Sequence, residues 1–162
     1  MRVGFGYDLH RLVSGRPLVL GGVAIDFGLG LDGHSDADVL VHAICDALLG
    51  AVAMGDIGGH FPPGDSRFAG ISSLKLLQRV GSILSESGWE VVNLDSVIIA
   101  EAPKMAPYTA EMREKISAAL GISAGQVSVK ATTTERLGVC GRGEGIAAQA
   151  VALVTNDNNW SV

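Results

Sequence analysis

The chain has 162 residues, of which 48% are apolar and 18% charged, and its mean hydropathy is +0.34. This length fits one domain that can bury most of its apolar surface. The net charge of −5 and the lack of a Lys/Arg cluster with interleaved aromatic residues make nucleic acid a poor partner. Because the composition is unusually apolar for a soluble domain, we expect other subunits to cover part of the surface.

The sequence also bears on the cellular compartment. No stretch reaches about 18 uncharged apolar residues, so no membrane span is expected. The N-terminal MRVGFGYDLH lacks the apolar core of a signal peptide. Cys45 and Cys140 match no metal or redox spacing, and two cysteines do not form a disulfide framework. We therefore expect a cytoplasmic, bacterial protein that does not bind membranes.

Short apolar runs rich in Val and Ile predict strands, and longer periodic runs predict helices. In chain order these are strands over 2–10 and 17–25, helices over 35–55 and 72–88, a strand over 90–100, a helix over 108–121, and strands over 126–133 and 145–155. Ser35 would begin the first helix and Thr109 would cap the third. The pattern predicts an α/β (α+β) sandwich, a mixed sheet with helices on one face, as a single domain over residues 1–162.

The longest irregular region is GDIGGHFPPGDSRFAG, residues 55–70. Loops of this length in a compact domain often close over binding sites. On the pattern alone, an exposed surface excursion is an equally good interpretation.

A metal site is one interpretation of the stretch GYDLH. Asp8 and His10 are two residues apart in a predicted strand, so their side chains point to the same face. His42 lies in the apolar run VLVHAICDALL, where a polar ring needs a partner. Asp8, His10 and His42 would bind Zn²⁺ with a fourth position left open, while Asp46, four residues after His42, would accept the other ring N–H of His42. Spacing alone favours the alternative, a core His42 satisfied by Asp46 and an incidental Asp8–His10 pair, because D-x-H is a weak pattern.

A phosphate site is one interpretation of KATTTERLGVCGRGEG, residues 130–145. Consecutive hydroxyls and backbone N–H groups at a strand end can hold phosphate, and Glu135 could bind Mg²⁺. Equally, the threonines could be ordinary β-branched strand residues and Glu135 a solvated acid. The nearby AEAPKMAP, residues 100–107, could present backbone groups to a flat ligand such as a nucleobase, or could be an ordinary turn.

These segments also share one register with a known family. They read RVGFGYDLH, GLGLDGHSDADVLVHAICDALLGA, GDIGGHFP, IIAEAPKM and VKATTTERLGVCGRGEGIAAQAVAL. Together they resemble the 2-C-methyl-D-erythritol 2,4-cyclodiphosphate synthase family over essentially the whole chain. The resemblance implies a homotrimer whose sheets face the three-fold axis, with active sites between adjacent subunits.

The resemblance also implies a reaction, a CMP-releasing cyclisation in the non-mevalonate (methylerythritol phosphate) pathway of isoprenoid biosynthesis. In 4-diphosphocytidyl-2-C-methyl-D-erythritol 2-phosphate, the 2-phosphate would attack the β-phosphorus of the diphosphate and expel CMP. The enzyme would be a phosphorus–oxygen lyase. Its cofactors would be Zn²⁺ or another divalent cation, one per subunit, together with Mg²⁺ or Mn²⁺.

Site residues carry over position by position from the family. The resemblance implies zinc ligands at Asp8, His10 and His42, a Mg²⁺ ligand at Glu135, and transition-state contacts at His34 and Thr133. The implied substrate contacts lie at the metal site, in the lid, in the cytosine loop and beside the diphosphate: Asp8, His10, His34, Ser35, Asp56, Ile57, Gly58, Phe61, Pro62, Pro63, Gly64, Asp65, Ala100, Glu101, Ala102, Pro103, Lys104, Met105, Ala106, Thr132, Thr133, Thr134, Glu135, Val139 and Arg142. Arg142 would lie toward the trimer axis.

Three positions depart from many relatives, which have His at position 5 and Phe at positions 7 and 139. This chain has Phe5, Tyr7 and Val139. In some relatives positions 7 and 139, with Arg142, line an axial cavity that can hold an isoprenoid diphosphate. Because Tyr7 and Val139 change the shape and polarity of that cavity, this ligand is less expected here than the catalysis.

Two other function classes are compatible with parts of the pattern. One is a non-catalytic trimer that senses a metal and an isoprenoid diphosphate, but such a sensor has no need of the APKM and TTTE segments. The other is a different nucleotide-processing enzyme on a trimeric scaffold, which only fold-level analogy supports. The cyclase interpretation accounts for every segment quoted above.

Overall fold

The computed structural model describes residues 1–62 and 64–156. Within them the strands are β1 Arg2–Val13, β2 Leu18–Leu20, β3 Val23–Ile25, β4 Gly30–Leu31, β5 Glu90–Ile99, β6 Val127–Thr132 and β7 Gly145–Thr155. The α-helices are α1 Val39–Ala51, α2 Ile57–His60, α3 Ser73–Glu86, α4 Thr109–Leu120 and α5 Gly138–Gly141. Single 3₁₀ turns lie at Ser66–Phe68 and Ala124–Gln126.

Five strands form one mixed sheet in the order β4-β1-β7-β5-β6, and β2 and β3 form a separate hairpin. β7 pairs antiparallel with both β1 and β5, and β6 pairs parallel with β5. α1 packs on β1 and β7, α4 packs on β6, and α3 packs against both helices. The predicted mixed sheet, with helices on one face of a single small domain, is therefore confirmed.

The sheet has one buried and one exposed face. On β1, Gly4 and Gly6 face the helices and are buried. The alternate residues form the outer face, where Val3 and Phe5 are 65% and 60% exposed and Tyr7 is 50% exposed. An apolar sheet face left open in one chain is the kind of surface that another subunit covers.

Close packing of α1 on β1 depends on small residues. A Cβ built on Gly4 would lie 1.9 Å from the carbonyl oxygen of Ala47, and one on Gly6 would lie 1.9 Å from that of Ala43. Only glycine at these strand positions lets the helix backbone approach so closely. This approach brings the side chains of α1 within reach of those of β1.

Several element boundaries differ from the predicted ones. The strand predicted over 17–25 is a hairpin, because Gly21 and Gly22 adopt φ values of +57° and +73° and turn the chain. The first helix begins after Asp38, whose carboxylate accepts the N–H of Val41 at 3.1 Å, and not at Ser35. Thr109 does not cap α4, since its hydroxyl donates to the Ala106 carbonyl.

Cys45 and Cys140 are free thiols. Over residues 1–62 and 64–156, no helix has both the length and the apolar character that crossing a membrane requires. Residues 157–162 of the predicted domain lie outside the described part of the chain.

Candidate functional site

Asp8, His10 and His42 form a compact cluster of potential metal ligands. Asp8 Oδ2 lies 2.9 Å from His10 Nε2 and 2.9 Å from His42 Nδ1, and the two nitrogens are 3.3 Å apart. Two nitrogen ligands of a tetrahedral zinc ion, each about 2.0–2.1 Å from the metal, stand roughly 3.3–3.4 Å apart. The separation of the histidine nitrogens therefore fits a tetrahedral metal site.

Three elements position these ligands. Alternation along β1 directs Asp8 and His10 toward the helix layer, and the close approach of α1 brings His42 alongside. His10 Nδ1–H donates to the Asp32 carbonyl, so that Nε2 is the nitrogen that faces Asp8 and His42. The orientation of His10 is therefore set by the main chain beside β4.

The electrostatics of the cluster favour a cation. Burial raises the pKa of the Asp8 carboxyl, but hydrogen bonds from His10 and His42 outweigh burial, so its pKa lies well below the usual value. The hydrogen bond to Asp8 raises the pKa of His10, with burial opposing it. Asp8 is thus held as a carboxylate, and a bound metal would displace a proton from His10.

In the structure, Asp46 does not accept the ring N–H of His42 as predicted. His42 Nε2 lies 3.0 Å from Ser73 Oγ and 3.2 Å from Ser35 Oγ. Asp46 Oδ1 instead accepts the backbone N–H of Ile57 at 2.7 Å. The reason is that the start of α3 packs against this side of His42, while Asp46, one turn further along α1, faces the start of α2. Asp46 therefore ties residues 55–70 to α1.

A cavity of about 250 Å³ opens beside the cluster. Its polar wall consists of the three ligands with His34, Ser35 and Asp46, and its apolar wall of Ile57, Gly58, Phe61, Phe68 and Leu76. Phe61 and Phe68 meet edge to face at 5.4 Å. The segment over residues 55–70 thus forms one side of this cavity, as the lid interpretation predicts.

Hydrogen bonds order this segment. Asp56 caps α2 by accepting the N–H of Gly59 at 2.9 Å, and His34 Nε2–H donates to the Asp65 carbonyl at 3.2 Å. Asp65 also pairs with Arg67. Pro62 and Gly64 lie exposed beside them, while the predicted contact Pro63 lies outside the described residues.

The TTTE segment follows β6 as an ordered loop. Thr133 Oγ1–H donates to Glu135 Oε1 at 2.7 Å, and Glu135 and Arg136 take positive φ values of 52° and 66°. Glu101 Oε1 accepts the N–H groups of Thr134 and Arg136 at 3.1 and 2.9 Å. The side chain of Glu101 therefore joins the loop over residues 100–106 to the TTTE loop.

The predicted site residues fall into two groups on one chain. The cavity beside the metal cluster is lined by no residue from 100–106 or 132–135 among the described residues. The register nevertheless brings both groups to the same end of the sheet, because Leu9 pairs with Ala147, Ala147 with Ile99, and Ile99 with Thr132. Within one chain the two groups therefore lie at the same end of the sheet without lining the same cavity.

The remaining predicted contacts, Val139 and Arg142, lie elsewhere. Val139 lines a groove with Leu9 beside the outer sheet face. Arg142 Nε–H donates to Glu144 Oε1 at 2.6 Å at the surface.

Sequence reasoning missed Ser73, Asp36 and Asp32, which contact His10 or His42 or support those contacts. No spacing motif marks them, because they meet the histidines only through tertiary packing. The one local signal is the position of Ser73 in the first turn of α3.

Comparison with known proteins places the chain in a family. The family model described as the YgbB family matches residues 1–155. The 2-C-methyl-D-erythritol 2,4-cyclodiphosphate synthase of Pelotomaculum thermopropionicum is 66% identical over 154 residues, 95% of each chain. The IspF structure of Plasmodium falciparum, a CDP complex, is 33% identical, with a TM-score of 0.85 over 97% of each chain.

A second solved structure is the bifunctional IspDF of Campylobacter jejuni, 39% identical with a TM-score of 0.91. The alignment covers 94% of this chain but 42% of that longer protein. The agreement over nearly the full length of the chain, in both sequence and fold, shows that it belongs to the YgbB family, the family of the 2-C-methyl-D-erythritol 2,4-cyclodiphosphate synthases.

Proposed function

We propose that this enzyme works at a site shared by two subunits, with a metal-binding half on one and a nucleotide-binding half on the other. The reaction is the cyclodiphosphate-forming step of the non-mevalonate isoprenoid pathway. The substrate is 4-diphosphocytidyl-2-C-methyl-D-erythritol 2-phosphate, and the leaving group is CMP. The observation that carries the proposal is the convergence of Asp8, His10 and His42 beside a cavity.

The metal-binding half would hold Zn²⁺, or another divalent cation, through Asp8 Oδ2, His10 Nε2 and His42 Nδ1. Glu135 would hold Mg²⁺ or Mn²⁺ in the other half. When bound, the two cations neutralise phosphate charge, which favours attack by the 2-phosphate and departure of CMP.

The side of the cavity formed by residues 55–70 would hold the erythritol unit. Ile57 and Gly58 provide backbone groups in its wall, next to Asp56, which caps α2, and the Phe61–Phe68 pair provides an apolar wall that would exclude water. His34 and Ser35 line the same cavity as the metal cluster, where they would contact the reacting phosphates. Holding the 2-phosphate and the diphosphate of one bent substrate together lowers the entropic part of the barrier.

The nucleotide half would consist of the loop over 100–106 and the TTTE loop. Backbone groups of the first would contact the cytosine, with Lys104 near the phosphates. The hydroxyls of Thr132, Thr133 and Thr134 would contact the diphosphate, with Thr133 steadying the charge that develops at phosphorus. The hydrogen bond from Thr133 to Glu135 supports a shared role for these two side chains.

A homotrimer with its sheets facing the three-fold axis would complete the site. Two observations support this assembly: the outer sheet face is apolar and exposed in one chain, and the two halves of the site do not meet within one chain. Val139 and Arg142 would then lie near the axis. The free thiols of Cys45 and Cys140 are compatible with a cytoplasmic location, which we also propose.

The proposal is tested by CMP release, with zinc counted per chain, for the wild type, His42→Ala and Glu135→Ala. The wild type should hold about one zinc per chain. His42→Ala should lose both zinc and CMP release, and Glu135→Ala should lose Mg²⁺-dependent turnover while it keeps zinc. Full activity of His42→Ala would refute the zinc assignment, and an unchanged Mg²⁺ dependence of Glu135→Ala would refute the role of Glu135.

A further inference from the structure

We propose that Ser73 and Asp36 are positioning residues that set the tautomer of His42, so that its Nδ1 lone pair is available to the metal. This inference rests on the proposed metal site. It concerns two side chains that lie behind His42, away from the cluster of ligands.

The hydrogen bonds define the direction of donation. The Asp36 carboxylate accepts twice from Ser73: Oδ2 from the backbone N–H at 2.9 Å, and Oδ1 from the hydroxyl at 2.5 Å. A serine hydroxyl has one hydrogen to donate, and a carboxylate can only accept. The Ser73 hydrogen is therefore committed to Asp36, and toward any other group Ser73 Oγ is an acceptor.

His42 Nε2 is that other group, at 3.0 Å from Ser73 Oγ. Since Ser73 Oγ can only accept, His42 Nε2 must carry a hydrogen, and that hydrogen stays in place when a metal replaces the proton that Nδ1 shares with Asp8. Nδ1 then carries the lone pair, and Nδ1 is the nitrogen that faces Asp8 Oδ2 and His10 Nε2. The chain Asp36–Ser73–His42 thus presents the correct ring nitrogen to the metal.

Ser35 does not fix the tautomer in the same way. Its Oγ lies 3.2 Å from His42 Nε2 and accepts the N–H of Ala37 at 3.1 Å. No acceptor as strong as a carboxylate takes its hydrogen, so its hydroxyl could either donate to Nε2 or accept from it. Ser73 is 0% exposed, so no bulk water competes with Asp36 for the hydrogen of the Ser73 hydroxyl.

The test measures zinc affinity by chelator competition and the proton position on His42 by nitrogen-15 NMR of the zinc-loaded protein. In the wild type, His42 should carry its proton on Nε2. Ser73→Ala and Asp36→Ala should weaken zinc binding by roughly 10–100-fold, with CMP release largely restored at saturating zinc. Ser96→Ala is the matched control. Like Ser73, Ser96 is buried and uses its hydroxyl as a donor, but its acceptor is the Ser128 carbonyl and not a group beside His42.

The outcomes distinguish failure of the metal site from failure of the positioning role. A wild type that binds no zinc overturns the metal site and this proposal together. A wild type that binds zinc while Ser73→Ala binds it as tightly as Ser96→Ala overturns the positioning role alone. A proton on Nδ1 of His42 in the zinc-loaded wild type would mean that zinc is bound through Nε2, which overturns the assigned ligand atom and this proposal together and needs no variant to fold.

Discussion

Asp38 is a fully buried carboxylate at the junction of the β2–β3 turn and α1. It accepts the N–H groups of Gly21 and Gly22 at 2.9 and 2.7 Å, in addition to that of Val41. Burial raises its pKa from 3.8 to about 6, although these hydrogen bonds oppose the shift. One side chain thus joins the hairpin to the helix that carries His42.

The raised pKa of Asp38 predicts a pH dependence of stability. Its contribution to stability is fully present below the unfolded pKa of 3.8 and is lost as the pH rises through about 6. Relative to Asp38→Asn, which does not titrate there, the wild-type free energy of unfolding should fall by roughly 2 kcal/mol from about pH 4 to about pH 7.5. Urea denaturation of both proteins across this range checks it, and a constant difference would contradict it.

Glu101 predicts a second effect at the scale of one residue. Its carboxylate holds Thr134 and Arg136 through their N–H groups. Glu101→Ala should therefore loosen the TTTE loop and lower kcat/KM for CMP release by roughly tenfold, without loss of zinc. Glu101→Gln keeps an acceptor oxygen and should retain most of the activity. Equal losses in both variants would show that the negative charge, and not the acceptor, matters.

Which contacts could be predicted from sequence depended on whether they are local. Asp8 and His10 share a face because of strand alternation alone, so spacing was enough to pair them. The partner of His42 Nε2 depends on how α3 packs against α1, and the pattern offered Asp46 on the same helix instead of Ser73. A contact between distant segments leaves no periodic trace in either one.

At the scale of elements, the glycines of β1 determine where α1 sits. Gly6→Ala places a methyl group against the Ala43 carbonyl, so α1 must move away from the sheet. We expect a loss of roughly 1–3 kcal/mol in the free energy of unfolding and weaker zinc binding, because His42 moves with the helix. Chemical denaturation and zinc titration measure the two effects.

Gly50→Ala is the matched control within α1. A Cβ there meets no atom within 4 Å, so alanine should stabilise the helix by roughly 0.5–1 kcal/mol and leave zinc affinity unchanged. If Gly6→Ala proved as harmless as Gly50→Ala, the close approach of α1 would not be what positions His42.

The long elements were predictable because each carries its own repeated signal. β5 is rich in Val and Ile, β7 is rich in Ala and Val, and α3 has an apolar stripe. Shorter features were missed because one or two residues decide them: Gly21 and Gly22 divide a strand, and β4 is two residues long. The order of strands in the sheet has no local signature at all.

At the scale of the whole molecule, the exposed apolar face of the sheet leads us to expect that subunits associate through it. Phe5→Glu adds a charge to the exposed apolar face that we assign to the trimer axis. The variant should be monomeric by light scattering and should lose CMP release, yet still bind zinc through its own three ligands. Gln78→Glu adds the same charge on the exposed side of α3 and should remain a trimer. A trimeric, active Phe5→Glu enzyme would contradict this assignment.

The proposal that two subunits share each active site is tested most directly by mixing His42→Ala with Glu135→Ala and exchanging their subunits by joint refolding. Every mixed trimer then contains one junction between an intact metal half and an intact nucleotide half. At equal amounts, the mixture should regain about a quarter of the wild-type CMP release, although each variant alone is inactive. If mixed trimers form and remain inactive, while wild type refolded in the same way is active, the two halves do not come from different subunits.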